Sequence, residues 1–481
     1  MQKKSTVAAN MLWRFAERSG AQGVSFVVSI ILARLLEPEV YGVVSLITVI
    51  TTILNLFVDS GFKNALIQKQ DADQLDFSTV FYFNVGLGVV LYLGMAAAAP
   101  AIAYFYHQEY MTPYIRVLSL TLVLGGINGV QTAIVSKRME FKRFFYATLG
   151  GTLVSAVVGI AMAYCGMGVW ALIAQRLVNQ TIDTLVLWRT VRWRPSLVFS
   201  YRRLKPMFAY GSKLLGSSLL DSFTTNLTSL IVGKLYSVEA LAYYEKGRNV
   251  PFLVVQNLQT AVQSVLFPVI AECQDEEQRV RMILHRSLQT SAYCIFPCMI
   301  WLGVCAEPLI RLLFTEKWIA MVPYMQLWCL ICAFYLLHTA NLQVIQALGR
   351  SDIYLKIECI KQGLTLAGIV AAAPFGTLAM LKMMAAVTVV SFGINAKPNE
   401  ALVSYGLVKQ VKALSRILLL NVVMGCAVYL TGFLPVADIG RLMLQAVTGI
   451  TVYLAGSSLL KLDVFVWLLE TVRDMLKRHN Q

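Results

Sequence analysis

Roughly fourteen apolar stretches of bilayer-spanning length follow one another along this chain and leave little sequence for anything else. A helix needs about 20 apolar residues to cross a hydrocarbon core. The stretches lie near residues 11–35, 40–60, 78–104, 114–135, 143–165, 168–188 and 207–232. They continue near 238–268, 288–313, 320–347, 353–373, 376–395, 414–434 and 440–460. Of 481 residues, 57% are hydrophobic and 14% charged, against about a quarter charged in a soluble domain. That polar supply cannot cover soluble domains, which excludes a soluble enzyme, a nucleic-acid-binding module and a disordered chain. The expected fold is an all-α polytopic membrane protein of about 14 transmembrane helices. Arg14, Glu17 and Arg18 interrupt the first stretch, so it does not read as a cleaved signal peptide.

The net charge of +15 would suggest nucleic acid in a soluble protein. Here the basic residues fall loop by loop instead. With the N-terminus in the cytoplasm, one side collects Lys3, Lys4, Lys63, Lys69, Lys137, Arg138, Lys142, Arg143 and the cluster from Arg189 to Lys205. In the second half it collects Arg279, Arg281, Arg286, Arg350, Lys356, Lys397, Lys409, Lys412 and Arg416. The other side offers Arg34, Lys234, Lys317 and Arg441. Such asymmetry places both termini in the cytoplasm. The longest loop, around 189–206, contains Arg192-Trp193-Arg194-Pro195 and separates six helices from eight. The layout expected is an N-terminal lobe over 1–206 with its basic loop and a C-terminal lobe over 207–395. Two further helices and an amphipathic tail then occupy 396–481. Most of the nine cysteines sit in apolar runs and read as small buried residues, Cys329 and Cys332 included.

A shift of 200 residues lays Ala33-Arg34-Leu35 on Gly233-Lys234-Leu235 and Glu39 on Glu239. Identities are few, but polar stripes recur. The first span carries Arg14, Arg18, Gln22, Ser25 and Ser29 on one helical face, and the second carries Ser45, Thr48, Thr52, Asn55 and Asp59. The seventh carries Lys213, Ser217, Asp221, Thr224 and Thr228, and the eighth Glu245, Arg248, Gln256, Gln259 and Gln263. Six spans separate equivalents, so both halves cross in the same sense, as two pseudo-symmetric six-helix lobes. Polar stripes are costly against lipid, and are expected to line a shared internal cavity.

Arg14, Arg18, Lys213 and Arg248 supply positive charge there, and Glu17, Asp59, Asp221 and Glu245 negative charge. Two readings stand side by side. Arg14 with Glu17, and Glu245 with Arg248, are spaced for local pairing. As a set, they suit a hydrated cavity with cationic walls for an anionic substrate, since arginine grips phosphate oxygens with a bidentate fork. His338, alone inside a span, reads as a helix–helix hydrogen-bonding partner, and Glu307 with Arg311 as a simple pair. No metal motif, nucleotide loop or nucleophile turn is visible, and neither a cofactor nor an enzymatic activity is expected.

Several segments are similar to those of polysaccharide transporters in the multidrug/oligosaccharidyl-lipid/polysaccharide exporter superfamily. Leu32-Ala33-Arg34-Leu35-Leu36-Glu37-Pro38-Glu39-Val40-Tyr41-Gly42 resembles the end of their first helix, and Gly61-Phe62-Lys63-Asn64-Ala65-Leu66-Ile67-Gln68 the loop after their second. Gly168-Val169-Trp170-Ala171-Leu172, Trp193-Arg194-Pro195, Leu266-Phe267-Pro268 and Gly349-Arg350 also match, in order, over nearly the whole chain. An acidic residue common in relatives near Asn226 is missing. The resemblance implies flipping of an undecaprenyl-diphosphate-linked oligosaccharide for O-antigen, capsule or exopolysaccharide assembly at the bacterial inner membrane. Its implied partners are that lipid-linked substrate, the bilayer and other assembly proteins. On this reading Arg14, Arg18 and Arg248 contact the diphosphate with Lys213 near the cytoplasmic mouth, while Gln22, Asn55 and Gln256 bond sugar hydroxyls. Glu17, Asp59, Asp221 and Glu245 are the candidates for H⁺ or Na⁺ coupling. A cation-coupled drug antiporter and a lipid II flippase are the alternatives.

Overall fold

The structure is a computed structural model, described for residues 4–59, 62–467 and 470; at 4–19, 210, 213, 214, 217, 220, 221, 224 and 261 it gives the backbone alone. All regular secondary structure among the described residues is helical, in two compact units, 1–242 and 243–481. The first unit holds α1 (Lys4–Leu35), α2 (Pro38–Asp59), α3 (Phe62–Gln68), α4 (Gln74–Phe105), α5 (Thr112–Leu118), α6 (Leu120–Lys137), α7 (Phe141–Tyr164), α8 (Val169–Thr190) and α9 (Tyr201–Leu235). Helix α10 (Val238–Ala271) begins there and continues into the second unit. The second unit adds α11 (Glu277–Val304), α12 (Ala306–Phe314), α13 (Val322–Ala347), α14 (Ser351–Ala372), α15 (Thr377–Val403), α16 (Leu407–Thr431) and α17 (Asp438–Leu459).

Ten segments among the described residues are long and apolar enough to cross a membrane. Helices α1, α8, α9 and α14 are of comparable length, at 32, 22, 35 and 22 residues. In α1 the described apolar stretch, Gly20–Leu35, is shorter than a full span, whereas α8, α9 and α14 carry more polar and charged residues. Each expected stretch corresponds to a helix, with shifted ends. The central loop is 191–200 rather than 189–206, because the basic run Tyr201–Lys205 already forms the first turn of α9. Likewise α15 continues through Lys397 and Pro398 to Val403, beyond the expected 395. Of the expected tail helix, Leu462 to Lys477, only 462–467 and 470 are described. All cysteines are free, but Cys294, Cys298, Cys359 and Cys426 are exposed rather than buried. In a membrane protein the outer surface is itself apolar, so an apolar neighbourhood in sequence does not mean the interior.

The offset of 200 is visible in the backbone. Helices α1 and α9 end at Leu35 and Leu235, and α2 and α10 begin at Pro38 and Val238. Pairings recur too: α4 packs on α6, α6 on α8 and α7 on α8, as α11 packs on α13, α13 on α15 and α14 on α15. The two corners touch. A Cβ added at Gly42, near the start of α2, would overlap the backbone carbonyl of Val238. Close backbone approach through small residues is the main packing device available to helices in lipid, where no hydrophobic force drives them together.

The central loop is fastened to the start of α4. The Trp193 indole N–H donates to Gln74 Oε1 (2.6 Å), and Gln74 Nε2 donates to the Arg194 carbonyl (2.7 Å). Ser196 and Ser200 donate backbone N–H groups to Ser78 and Thr79, each at 3.1 Å. The Arg194 guanidinium lies over the Trp188 ring at 5.3 Å. Beneath the loop, Asp76 is fully buried between Lys69 (2.6 Å) and Arg203 (3.4 Å). Asp73 and Asp76 form a reciprocal capping box at the start of α4. One carboxylate thus joins the α3–α4 loop, α4 and α9.

Three outcomes follow from this packing, each read as the unfolding midpoint of detergent-purified protein. Gly42→Ala is expected to lower stability by about 1–3 kcal/mol through overpacking; Gly94→Ala, whose Cβ would meet open space, should not lower it. Asp76→Asn strands two cations. Its expected cost is about 2 kcal/mol, below the ~3–5 of a fully enclosed pair, because Lys69 and Arg203 are 26% and 42% exposed and screened by solvent. The Asp76 backbone N–H, donating to Asp73 (2.9 Å), holds the Asp73 carboxyl below the usual carboxylate range. A lowered folded-state value means the contribution is complete above the unfolded-state value and lost as pH falls through the lowered one. The stability gap between the unaltered protein and Asp73→Ala should therefore stay constant near neutral pH and shrink only below about pH 4.

Candidate functional site

The charged residues singled out above separate into two groups. Arg14, Glu17 and Arg18 lie on α1, which packs on α7, while Lys213 and Asp221 lie on α9. The side chains of all five are outside the described residues. Gln22 is half-buried on α1, and Asp59 is exposed at the end of α2. Gln256 is exposed on α10, where its carbonyl accepts a hydrogen bond from the Thr260 hydroxyl (2.9 Å).

Glu245 and Arg248 form the local pair that their spacing allows, with Arg248 NH2 3.6 Å from Glu245 Oε2. That separation is long for a charge-assisted hydrogen bond, which runs nearer 2.7–2.9 Å. The guanidinium carbon rests 5.8 Å from the ring centres of both Phe252 and Trp328. Trp328 is held edge-on by Tyr244 at 5.6 Å. Arg248 Nε is buried and lacks a hydrogen-bond partner among the described residues. The arrangement is a cation on an aromatic shelf, loosely tied to one carboxylate, with a donor to spare.

Asn55 of the α2 stripe faces Gly125 of α6. A Cβ at Gly125 of α6 would come within 2.9 Å of Asn55 Oδ1 and 3.8 Å of Gln180 Nε2. Gln180, on α8, donates to the Thr121 carbonyl (3.0 Å). Here the structure reveals a polar face that sequence reasoning missed. Gln175, Asn179 and Asp183 lie four apart on α8, opposite Gly159, Ser155 and Gly151, four apart on α7. Asn179 donates to Ser155 Oγ (3.4 Å), while Asp183 and Gln175 pack over the two glycines. The signal was present as two matching four-residue ladders, one polar and one of small residues, on consecutive helices.

The second unit has its own interior polar cluster. Asn341 and Gln410 exchange two hydrogen bonds (3.0 and 2.8 Å), and Asn399 donates to Asn341 Oδ1 (2.7 Å), joining α13, α15 and α16. His338 meets Asn395 at 2.9 Å across α13 and α15, the helix–helix role expected of it. Glu307 and Arg311 pair as expected (3.2 Å); Glu358 and Lys361 form a further ion pair (2.6 Å) that the sequence reading did not single out. Among the described residues no cluster of metal-ligating side chains is found. Where α16 and α17 flank α11, an apolar groove of about 330 Å³ runs between Pro297, Cys298, Trp301, Met424, Ile450 and Tyr453.

Residues 31–323 match the family described as "Polysaccharide biosynthesis protein". The lipopolysaccharide biosynthesis protein WzxC of Escherichia coli K12 is 26% identical over 383 residues, covering 78% of each chain. The succinoglycan biosynthesis transport protein ExoT of Rhizobium meliloti is 25% identical over 325 residues, 68% of this chain and 66% of that one. Among solved structures, the lipid II flippase MurJ in an inward closed conformation aligns with a TM-score of 0.74, over 94% of this chain and 99% of its own, at 13% identity. An inward-facing multidrug resistance MATE transporter of the MOP superfamily aligns with a TM-score of 0.62 over 79% of this chain and 94% of its own, at 14% identity. At such identities these two establish the fold. The chain is a multi-pass membrane protein with the fold of MurJ and the MATE transporters, and it belongs to the polysaccharide biosynthesis protein family.

Proposed function

We propose that the chain flips an undecaprenyl-diphosphate-linked oligosaccharide across the bacterial inner membrane, for O-antigen, capsule or exopolysaccharide assembly. The observation that carries this reading is Arg248. Its guanidinium is held against two aromatic rings, its ion pair with Glu245 is loose, and its buried Nε has a donor to give. A diphosphate entering beside it would gain charge-assisted hydrogen bonds and displace the carboxylate. The family membership and the names of WzxC and ExoT support the glycan part of the substrate. The groove between α11, α16 and α17 supports the lipid part, because a polyprenyl chain can stay in an apolar trough while its head crosses.

In this reading α1, α8, α9 and α14 also cross the membrane. That gives fourteen spans, two six-helix lobes over 1–206 and 207–395, and two appended helices, with both termini in the cytoplasm. Arg14, Arg18 and Lys213 join Arg248 in a cationic intramembrane cavity, where Gln22, Asn55 and Gln256 bond sugar hydroxyls. The cavity opens alternately to the two sides. Glu245, which gives up Arg248 when phosphate takes it, is the first candidate to bind H⁺ or Na⁺, with Glu17, Asp59 and Asp221 as further carriers. A drug antiporter would have little use for a cationic shelf or for a lipid groove.

The test is reconstitution in liposomes with a fluorescent undecaprenyl-diphosphate oligosaccharide, scoring access of the head group to an impermeant reagent. Protein-dependent movement that responds to a pH or Na⁺ gradient is expected. Combined Arg14→Ala, Arg18→Ala and Arg248→Ala should abolish movement while leaving membrane insertion intact. Normal movement by the triple variant would overturn the assignment of these residues. No movement with several sugar heads, together with drug extrusion by the same liposomes, would favour the antiporter.

A further inference from the structure

At the polar start of α11, in the second unit and apart from the residues assigned above, lies a cavity of about 480 Å³. Arg281, His285 and Arg286 of α11 face it, with Tyr405 from the α15–α16 loop and Asp463 and Trp467 from the helical segment 463–467. We propose that this cavity binds the phosphate of a membrane phospholipid headgroup, and so fastens the segment after α17 to the bilayer surface.

Its cations are held ready. Arg281 donates from Nε to the Val403 carbonyl (3.0 Å) and from NH2 to Glu277 (2.9 Å), which fixes the plane of its guanidinium. His285 Nδ1 is engaged by the Tyr405 hydroxyl at 2.6 Å, with the rings edge to face at 5.6 Å. When that hydroxyl donates to Nδ1, the ring proton resides on Nε2 and is a donor for an anion. Arg286 is exposed and forms no ion pair among the described residues. Arg281 and Arg286 bring two full charges against the one carboxylate that lines the cavity, Asp463, while His285 in this tautomer is a neutral donor; the excess of one positive charge matches a singly charged phosphodiester.

The second argument is depth. The residues of α11 from Glu277 to Thr290 carry charged or polar groups at nearly every turn, and its continuous apolar run begins just after them. The cavity therefore sits where a span leaves the hydrocarbon, at headgroup level. Trp467 and Tyr405 are the side chains that favour this layer, with an apolar ring and a polar edge. Met282 and Val464 complete an apolar wall suited to the glycerol and upper acyl region of a lipid. A soluble phosphate would use the cations and leave that wall wet; a phospholipid uses both. Lys409 and Lys412, close after Tyr405 in the chain, and Lys461, just before Asp463, add basic charge to the same segments, which attracts anionic lipid.

Native mass spectrometry of the detergent-purified full chain, titrated with phosphatidylglycerol and, separately, glycerol 3-phosphate, tests the proposal. One lipid should bind well ahead of further adducts. Arg286→Gln should weaken that first adduct about tenfold or more, as expected for loss of a charge-assisted contact, and Arg286→Lys should restore most of it. Asp463→Asn should tighten it. Arg279→Gln, a control 59% exposed on the same helix and paired with Glu276, should leave it unchanged. Equal weakening by Arg279→Gln would mean diffuse surface attraction, unchanged binding by Arg286→Gln would mean no site, and full competition by glycerol 3-phosphate would mean a soluble ligand. Each of these overturns the proposal without touching the flipping function, which is scored in a different assay.

Discussion

A polar group inside a bilayer has no water to fall back on, and the architecture of this chain follows from that deprivation. The backbone answers it by forming helices and no strands among the described residues. The side chains answer it by finding one another: Asn179 finds Ser155, Gln180 finds a carbonyl of α6, and Asn399 and Gln410 both find Asn341. Each bond joins different helices, so the residues that lipid would reject are also those that decide which helices are neighbours. Modest individual energies, about 0.6 kcal/mol in measured cases, are enough when the alternative is an unpaired group in hydrocarbon.

The same pressure explains why a short surface motif is built with such care. Trp193-Arg194-Pro195 lies at the join between two long helices, and its indole and the Arg194 carbonyl are claimed by a single glutamine at the start of α4. Asp76, buried below, is approached by cations from both sides. Loops between membrane helices are where chain ends are brought to register, and here the register is set by hydrogen bonds and charge rather than by apolar packing alone.

Much of the helical order was legible from sequence, because apolar length is a one-dimensional property. The repeat was legible for a similar reason: Leu35 and Leu235 close equivalent helices at the spacing read from Arg34 and Lys234. Partner choice was not legible, since it is set between helices distant along the chain. Glu245 and Arg248 fitted both a pair and a wall, and only the aromatic shelf from Trp328, some eighty residues on, shows how the arginine is held. The ladder on α8 was missed because its polar residues, read one at a time, lacked meaning without the small residues of α7 opposite. The start of α9 was read as loop because Tyr201–Lys205 is strongly basic, yet charge in the first turn is no obstacle to a helix when it meets a carboxylate such as Asp76.

The touching corners at Gly42 and Val238 have a mechanical side. Where two backbones meet with no side chain between them there is nothing compressible to slide on, so relative motion of α2 at that point is rotation and not translation. Helix α2 runs on from Gly42 to Asp59, about 26 Å at 1.5 Å per residue. A tilt of about 5° around such a fulcrum carries its far end, with Asn55 and Asp59, through roughly 2 Å, enough to make or break a hydrogen bond, by the same geometry. A glycine at one end of a rod thus sets the gearing for the polar groups at the other.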